Sequence, residues 1–277
     1  MRTLFLPSGR PIPALGQGTW LMGEDRAKRQ AEITALRLGL DLGMSLIDTA
    51  EMYGEGGAEE VIAEAIAGRR AQVFLVSKVY PHNASRQGVV EACGRSLRRL
   101  KTDYLDLYLL HWRGSVPLAE TLEGFQSLKR TGKIRDYGVS NFDPVDMKKA
   151  SALPGGGEIA ANQVLYNLRR RGIEWDLLPW CREHGIPVMA YTPIEQGAIL
   201  DHPQLKLIAS RHRATPAQVA LAWLLRQEGI VVIPKASNAE HVRENRAALV
   251  LTLADQDLGE LDRAFPPPRK KMALAIR

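Results

Sequence analysis

The sequence predicts an α/β fold in which eight parallel strands close into a (β/α)8 TIM barrel. Three observations indicate this fold. Short apolar runs alternate with longer stretches that have helical character. Several of these runs lack polar alternation, which is typical of strands covered on both faces. Successive strand ends lie about 30 residues apart, which is the length of one strand–helix unit.

Eight segments fit this strand pattern. In chain order they are residues 14–18, 46–48, 73–78, 104–111, 136–141, 159–165, 187–191 and 230–234. Residues 3–13, which precede them, predict a small β-hairpin that turns at Ser8-Gly9. Because this hairpin comes before the first barrel strand, we expect it to plug the bottom of the barrel.

The stretches between the strands carry helix signals. Asp143 is a predicted N-cap that is followed by Pro144 at the first helical position, and Thr215 with Pro216 repeats this arrangement. Gly132 follows an amphipathic segment and is suited to a helix C-cap. These signals place a helix after most of the predicted strands.

Two segments depart from the simple repeat. The interval before the last strand exceeds one unit, and residues 200–212 supply an additional helix there. Residues 266–271 contain three prolines and three basic residues, so they cannot be helical and we expect them to end the fold. No linker interrupts the chain, which predicts a single domain over residues 1–277.

Composition excludes several classes of protein. The net charge of +6 comes from scattered basic residues, which favours attraction of a phosphorylated small molecule over binding to nucleic acid. The cysteines, Cys93 and Cys181, lie in apolar settings and form no metal or disulfide pattern. No apolar run is long enough for a spanning helix and no signal peptide is visible, so we expect a cytoplasmic protein.

Four residues of different chemistry lie at or just after three predicted strand ends. Asp48 ends one strand and Tyr53 follows it, while Lys78 and His111 end the next two strands. The carboxyl ends of the strands in such a barrel meet on one face, where catalysis occurs. Each residue alone has an ordinary structural interpretation, but their joint placement at strand ends favours a catalytic site.

This set of residues is suited to the reduction of a carbonyl group. A phenol is a poor proton source at neutral pH, and a nearby ammonium lowers its pKa. We therefore expect Lys78 to lower the pKa of Tyr53, and Asp48 to keep Lys78 charged. We also expect His111 to donate a hydrogen bond to the carbonyl oxygen and Tyr53 to be the general acid.

Five motifs resemble the aldo-keto reductase superfamily in order and spacing. They are GMSLIDTAEMY at 43–53, SK at 77–78, LYLLHW at 107–112, GVSNF at 138–142 and IPK at 233–235. The resemblance extends from the N-terminal hairpin to about residue 261. Three further segments, at 16–20, 50–53 and 178–181, resemble a bacterial branch that includes methylglyoxal reductases.

The resemblance implies a catalytic tetrad and an NADP(H) site on a barrel without a Rossmann domain. Asp48, Tyr53, Lys78 and His111 match the tetrad. Side chains that match the nicotinamide site are Ser140, Asn141 and Gln163, which hydrogen-bond the amide, and Tyr191, on which the ring stacks. Thr19 and Trp20 are expected near the cofactor, and Trp20 and Trp112 are expected to line the substrate pocket.

The segment after the last strand implies a site for the 2′-phosphate and adenine of NADP(H). The matching residues are Lys235, Ser237, Asn238, His241, Arg243, Glu244 and Asn245. Two positions differ from the family pattern: Ala236 replaces the serine after Lys235, and His241 replaces the arginine that covers the adenine. We expect Arg243 to substitute for that arginine, and discrimination against NAD(H) to be weaker.

The favoured interpretation is an NADPH-dependent reductase of small aldehydes, with methylglyoxal-like 2-oxoaldehydes as the favoured substrates. Because the chain ends soon after Phe265, we expect an open pocket, with Arg113 as a solvated loop residue. A cofactor-sensing regulatory subunit of a potassium channel remains the alternative. A barrel enzyme for sugar phosphates would explain Lys235 but not the tetrad. The expected partner is a small carbonyl compound, not a nucleic acid or a membrane, and the expected state is a monomer.

Overall fold

A computed structural model describes residues 2–277. Its main feature is an eight-stranded parallel sheet that follows a two-stranded hairpin. The hairpin strands are β1 (Thr3–Phe5) and β2 (Pro11–Pro13). The strands of the barrel are β3 (Gly16–Gly18), β4 (Leu46–Asp48), β5 (Phe74–Val79), β6 (Leu105–Leu110), β7 (Ile134–Ser140), β8 (Ile159–Leu165), β9 (Val188–Tyr191) and β10 (Ile230–Val232).

Helices cover the outside of this sheet. They are α1 (Arg29–Asp41), α2 (Gly57–Ala65), α3 (Arg86–Leu100), α4 (Leu118–Arg130), α5 (Pro144–Ser151), α6 (Leu177–Glu183), α7 (Pro203–Arg211), α8 (Pro216–Leu225), α9 (Ala239–Ala247) and α10 (Asp255–Ala264). The additional helix predicted within residues 200–212 is α7. Within residues 2–277, no helix combines the length and the apolar character needed to cross a bilayer.

The first and last strands meet, so the sheet closes into the predicted barrel. The backbone N–H of Val232 donates to the carbonyl of Ala14 at 2.8 Å, and the N–H of Gly18 donates to the carbonyl of Pro234 at 3.0 Å. Only glycine fits at the second contact, because a Cβ on Gly18 would lie 2.8 Å from the carbonyl oxygen of Ile233. The seam therefore depends on the absence of a Cβ at position 18.

The N-terminal hairpin closes the bottom of the barrel, as predicted. It turns at Gly9, whose φ is +80°, and it buries Leu6 and Ile12 against the inward-facing core residues of the strands. The Arg10 guanidinium contacts Asp106 at 2.9 Å and Asp136 at 3.3 Å near the starts of β6 and β7. These ion pairs fix the hairpin to the amino ends of the strands.

The helix signals in the sequence are confirmed. Asp143 caps α5 by accepting a hydrogen bond from the N–H of Asp146, with Pro144 at the first helical position. Thr215 forms a capping box with Gln218 at the start of α8. Strand boundaries differ from the prediction by one or two residues at several ends. For example, β6 ends at Leu110, because the carbonyl of the next residue accepts a side-chain hydrogen bond instead of a strand bond.

Candidate active site

Alternation along the strands aims the predicted catalytic side chains into the barrel mouth. In β4, Leu46 faces the barrel core, so Asp48 faces the same side two residues later. In β5, Val76 lies in the core and Lys78 lies directly above it. Asp48 and Lys78 therefore lie on top of the apolar core, and contacts with Tyr53 and, through it, His111 extend this polar layer.

Lys78 is the centre of this layer. Its side chain is 0% exposed, and its Nζ donates to Asp48 Oδ2 at 2.8 Å, to the Thr49 carbonyl at 2.8 Å and to Tyr53 Oη at 3.2 Å. Burial lowers the pKa of Lys78, but Asp48 and Tyr53 together raise it above its usual value. The lysine is therefore an ammonium with three oxygen partners, as the sequence predicts for a residue beside Asp48.

The Tyr53 hydroxyl lies between Lys78 and the barrel mouth. Burial raises the pKa of Tyr53, Lys78 lowers it, and Asp48 raises it further, so the net direction is upward. The lowering effect of Lys78 on this pKa has the expected sign, but burial outweighs it. The sequence does not reveal how deeply the phenol is buried. A raised pKa keeps the phenol protonated at neutral pH.

His111 closes the layer on the side opposite Asp48. Its ring lies edge-on to the Tyr53 ring, with the centroids 5.8 Å apart. Burial and the nearby Lys78 ammonium lower the pKa of His111 to about 2, so the imidazole is neutral. Within residues 2–277, its buried Nδ1 has no hydrogen-bond partner.

The residues predicted to hold the nicotinamide form one connected network. Gln163 Nε2 donates to Asp48 Oδ1 at 2.7 Å, Ser140 Oγ donates to the Gln163 carbonyl at 2.8 Å, and Tyr191 Oη donates to Asn141 Oδ1 at 2.9 Å. Asn141 has a φ of +60°. The structure therefore brings this group next to the predicted tetrad, with Asp48 joined to both groups.

The residues predicted to hold the 2′-phosphate surround the start of α9. Asn238 caps the helix, because its Oδ1 accepts a hydrogen bond from the N–H of His241 at 2.8 Å. Partial burial lowers the pKa of Lys235. The Ser237 Oγ is buried, and no described residue gives it a hydrogen-bond partner. The segment therefore carries the charged Lys235 two residues before the unpartnered Ser237 hydroxyl.

The side chains of Arg243 and His241, also predicted to contact the cofactor, are engaged with residues of the same segment. The Arg243 side chain bends back to the carbonyl of Ala239 in its own helix at 3.3 Å, so the structure does not direct it into the place of the missing arginine. His241 Nδ1 lies 3.1 Å from Asn238 Nδ2. Asn245 is buried and Glu244 is half-buried.

Aromatic side chains line the barrel mouth. Trp20 is 42% exposed, and Trp112 packs against His111 and edge-on against Tyr80, with ring centroids 4.8 and 5.8 Å apart. Thr19 is buried, and its hydroxyl donates to the carbonyl of Asp48 at 2.9 Å. Thr19 thus binds the end of β4 that carries Asp48, a contact that the sequence does not reveal.

The segment after α10 contains no helix or strand, as predicted for residues 266–271, but it packs back toward the site. Lys271 pairs with Asp176 at 3.2 Å and Leu274 packs against the core. The backbone N–H of Arg277 donates to Tyr191 Oη at 3.3 Å. The apolar run at residues 272–276 could have indicated that this segment packs against the rest of the fold. The hydrogen bond to Tyr191 places Arg277 beside that residue, while the expected open pocket stays a prediction.

Comparisons with known proteins agree with this geometry. Residues 14–265 match the Aldo/keto reductase family, and the chain belongs to this family. It is 53% identical to the methylglyoxal reductase YeaE of Escherichia coli strain K12 over 268 residues, which cover 95% of this chain and 94% of the relative. The predicted superfamily is therefore confirmed, and with it the class of oxidoreductases.

Two solved structures of aldo-keto reductases from Klebsiella pneumoniae are similar throughout. One, a complex with NADP and acetate, has a TM-score of 0.97 at 50% identity and covers 99% of both chains. The other, a complex with NADPH, has a TM-score of 0.97 at 49% identity and covers 100% of this chain and 99% of the other. The predicted barrel fold is confirmed.

Proposed function

We propose that this chain is an NADPH-dependent reductase of small aldehydes, acting as a monomeric barrel of one domain. The observation that carries the proposal is the contact of the buried Lys78 Nζ with both Tyr53 Oη at 3.2 Å and Asp48 Oδ2 at 2.8 Å. The name of the relative from Escherichia coli supports methylglyoxal and similar 2-oxoaldehydes as substrates. The cytoplasm is the proposed location.

NADP(H) fits the residues at two places. Lys235 and the unpartnered Ser237 hydroxyl offer a charge and a hydrogen-bond donor to a phosphate. Tyr191 offers an aromatic ring beside Asn141 and Gln163, whose amides suit a carboxamide. When bound, the cofactor supplies the hydride that reduces the carbonyl carbon.

The side chains of the protein supply the proton and the electrostatic support. Tyr53, a phenol that is protonated at neutral pH, donates its proton to the carbonyl oxygen. Lys78, held as an ammonium by Asp48, stabilises the phenolate that remains. His111 is neutral, so one ring N–H donates a hydrogen bond that orients the carbonyl oxygen.

The direct test of the reaction is NADPH consumption followed by absorbance. The assays contain methylglyoxal, a simple aromatic aldehyde or no substrate, and each is repeated with NADH. We expect consumption with methylglyoxal and NADPH, a slower reaction with NADH and none without substrate. Tight NADPH binding without consumption of any aldehyde would contradict the proposal and favour a cofactor-sensing protein.

The role of Tyr53 is tested by Tyr53→Phe. This variant removes the proton donor and retains the ring, so we expect turnover to fall about 100-fold or more while the NADPH dissociation constant stays within about twofold. Tyr137→Phe is the matched control, because its hydroxyl donates to Gly155 outside the site. Wild-type turnover in Tyr53→Phe would remove the proposed role.

A further inference from the structure

A buried cluster connects the two segments that hold Lys78 and Tyr53. It consists of Glu59 from α2, Ser77 from β5 and Arg99 from α3, and we call it the Glu59 cluster. Glu59 Oε1 accepts a hydrogen bond from Ser77 Oγ at 2.7 Å, and Glu59 Oε2 accepts one from Arg99 Nε at 2.6 Å. Glu59 is fully buried, and a buried carboxylate is stable only when it is paired. These two partners therefore fix its position.

One side of the Glu59 cluster holds the strand that carries Lys78. Ser77 and Lys78 are consecutive residues of β5, so their side chains point to opposite faces of the sheet. Lys78 faces the barrel mouth, while Ser77 faces the helices and is bound there by Glu59. Any shift of the backbone at Ser77 therefore moves the lysine as well.

The other side of the cluster supports the turn after Tyr53. Gly54, Glu55 and Gly56 have φ angles of +56°, +54° and +94°. This left-handed conformation is unfavourable for a residue such as Glu55 and persists only where the surroundings impose it. A Cβ on Gly56 would lie 2.5 Å from Cδ and Nε of Arg99, so the Arg99 side chain packs directly against the turn.

We propose that Glu59 is a positioning residue for carbonyl reduction. Through Arg99 it supports the turn that follows Tyr53, and through Ser77 it holds the strand of Lys78. The distance that it maintains is the 3.2 Å between Lys78 Nζ and Tyr53 Oη. A displacement of about 1 Å in a reacting group costs up to about 100-fold in rate. This inference rests on the proton-donor role proposed above for Tyr53.

The barrel contains a matched control at its opposite end. Like Glu59, Asp106 is a buried carboxylate; its partners are Arg10 at 2.9 Å, Arg70 at 2.8 Å and the backbone N–H of Leu75 at 3.0 Å. It lies at the start of β6, near the hairpin that closes the bottom of the barrel. Asp106→Asn therefore reproduces the loss of a buried paired carboxylate without touching the catalytic face.

The test compares Glu59→Gln with Asp106→Asn. Glutamine at 59 can turn its oxygen to Arg99 and its N–H₂ group to the Ser77 hydroxyl, but it removes the negative charge that pairs with the Arg99 guanidinium, so the support of the turn is weakened. We expect both variants to unfold at lower urea concentration and to bind NADPH within about twofold of wild type. Only Glu59→Gln should lower kcat with methylglyoxal, by about 10- to 100-fold. Equal kcat in the two variants would overturn the proposal, because the loss would then follow stability alone.

The pH dependence of kcat distinguishes a positioning role of Glu59 from a purely structural one. If Glu59 only stabilised the fold, its mutation would leave the pH profile unchanged. Lys78 lowers the pKa of Tyr53, so a weaker contact between them raises that pKa further. We therefore expect the fall of kcat at alkaline pH to occur at higher pH in Glu59→Gln than in wild type. An unchanged pH profile would argue against an effect on Tyr53.

A milder variant keeps the proposal testable if Glu59→Gln does not fold. Ser77→Ala removes one hydrogen bond, and we expect kcat to fall about fivefold at unchanged NADPH affinity. Unchanged kcat in Ser77→Ala would overturn the proposal.

The variant Tyr53→Phe distinguishes a failure of the proposed proton-donor role of Tyr53 from a failure of the positioning role of Glu59. If it keeps full turnover, the role of Tyr53 fails together with this inference. If it loses turnover while Glu59→Gln does not, only the inference fails.

Discussion

Because Lys78 and Asp48 form a buried ion pair, we expect their mutations to have non-additive effects on the free energy of unfolding. Lys78 is 0% exposed and Asp48 is 2% exposed. Asp48→Asn leaves the ammonium without a countercharge, and breaking a buried pair from one side costs about 3–5 kcal/mol of unfolding free energy. Lys78→Met leaves the Asp48 carboxylate unpaired and costs a similar amount. Both single variants should therefore be strongly destabilised.

The double variant, Asp48→Asn with Lys78→Met, removes both charges together. Replacement of a buried pair by uncharged residues of similar volume is often close to neutral. The remaining loss comes from the Thr49 carbonyl, which loses its 2.8 Å hydrogen bond from Lys78. That loss amounts to about 1–3 kcal/mol. Independent sites would instead give the sum of the single losses, about 6–10 kcal/mol.

Urea unfolding of the cofactor-free protein measures these free energies. The cofactor must be absent because ligand binding to the native state adds its own stabilisation. Turnover with methylglyoxal is measured in the same four proteins. We expect the double variant to recover stability while turnover stays absent in it and in Lys78→Met, because an uncharged residue at 78 cannot support the phenolate of Tyr53. A double variant as unstable as the sum of the singles would refute the coupling.

Two further predictions concern His111 and Lys235. The pKa of His111 is about 2 in the fold and about 6.5 in the unfolded chain, so unfolding takes up a proton and stability falls as the pH drops below 6.5. Between pH 7 and pH 5.5 we expect urea titrations to show a loss of about 1 kcal/mol that His111→Gln lacks; parallel curves for the two proteins would contradict this. Lys235→Ala should raise the KM for NADPH by about 10- to 100-fold and leave the KM for NADH within about twofold, because only NADPH carries the additional phosphate. Equal effects on both cofactors would exclude a role for Lys235 in phosphate binding.

The sequence predicts the barrel and the meeting of the four residues because both follow from local patterns. Alternation in β4 and β5 places Asp48 and Lys78 above core residues, and parallel strands bring their carboxyl ends together. The N-cap at Thr215 depends on neighbouring residues alone. These features need no knowledge of contacts between distant parts of the chain.

The features that the sequence does not predict depend on distant contacts or on burial. The net pKa of Tyr53 is set by the depth at which the phenol lies. Arg243 satisfies its guanidinium on its own helix, which the position of the residue in the sequence does not show. Glu59 and Arg99 form an ion pair although they are 40 residues apart in the sequence. From the sequence alone, a glutamate in a helix is expected to be exposed to solvent, so the pair could not be predicted.

The bond between Gln163 and Asp48 has a consequence for ligand selection. One amide hydrogen of Gln163 is directed to the Asp48 carboxylate at 2.7 Å, and Nε2 also faces the sulfur of Met189 at 4.0 Å. The side chain therefore presents its oxygen, a pure acceptor, to any molecule in the mouth. Such a group favours a carboxamide, which has N–H to donate, and repels a carboxylate, which has none. The carboxylate that keeps Lys78 protonated thus also fixes the orientation of the Gln163 amide on the far side of the barrel.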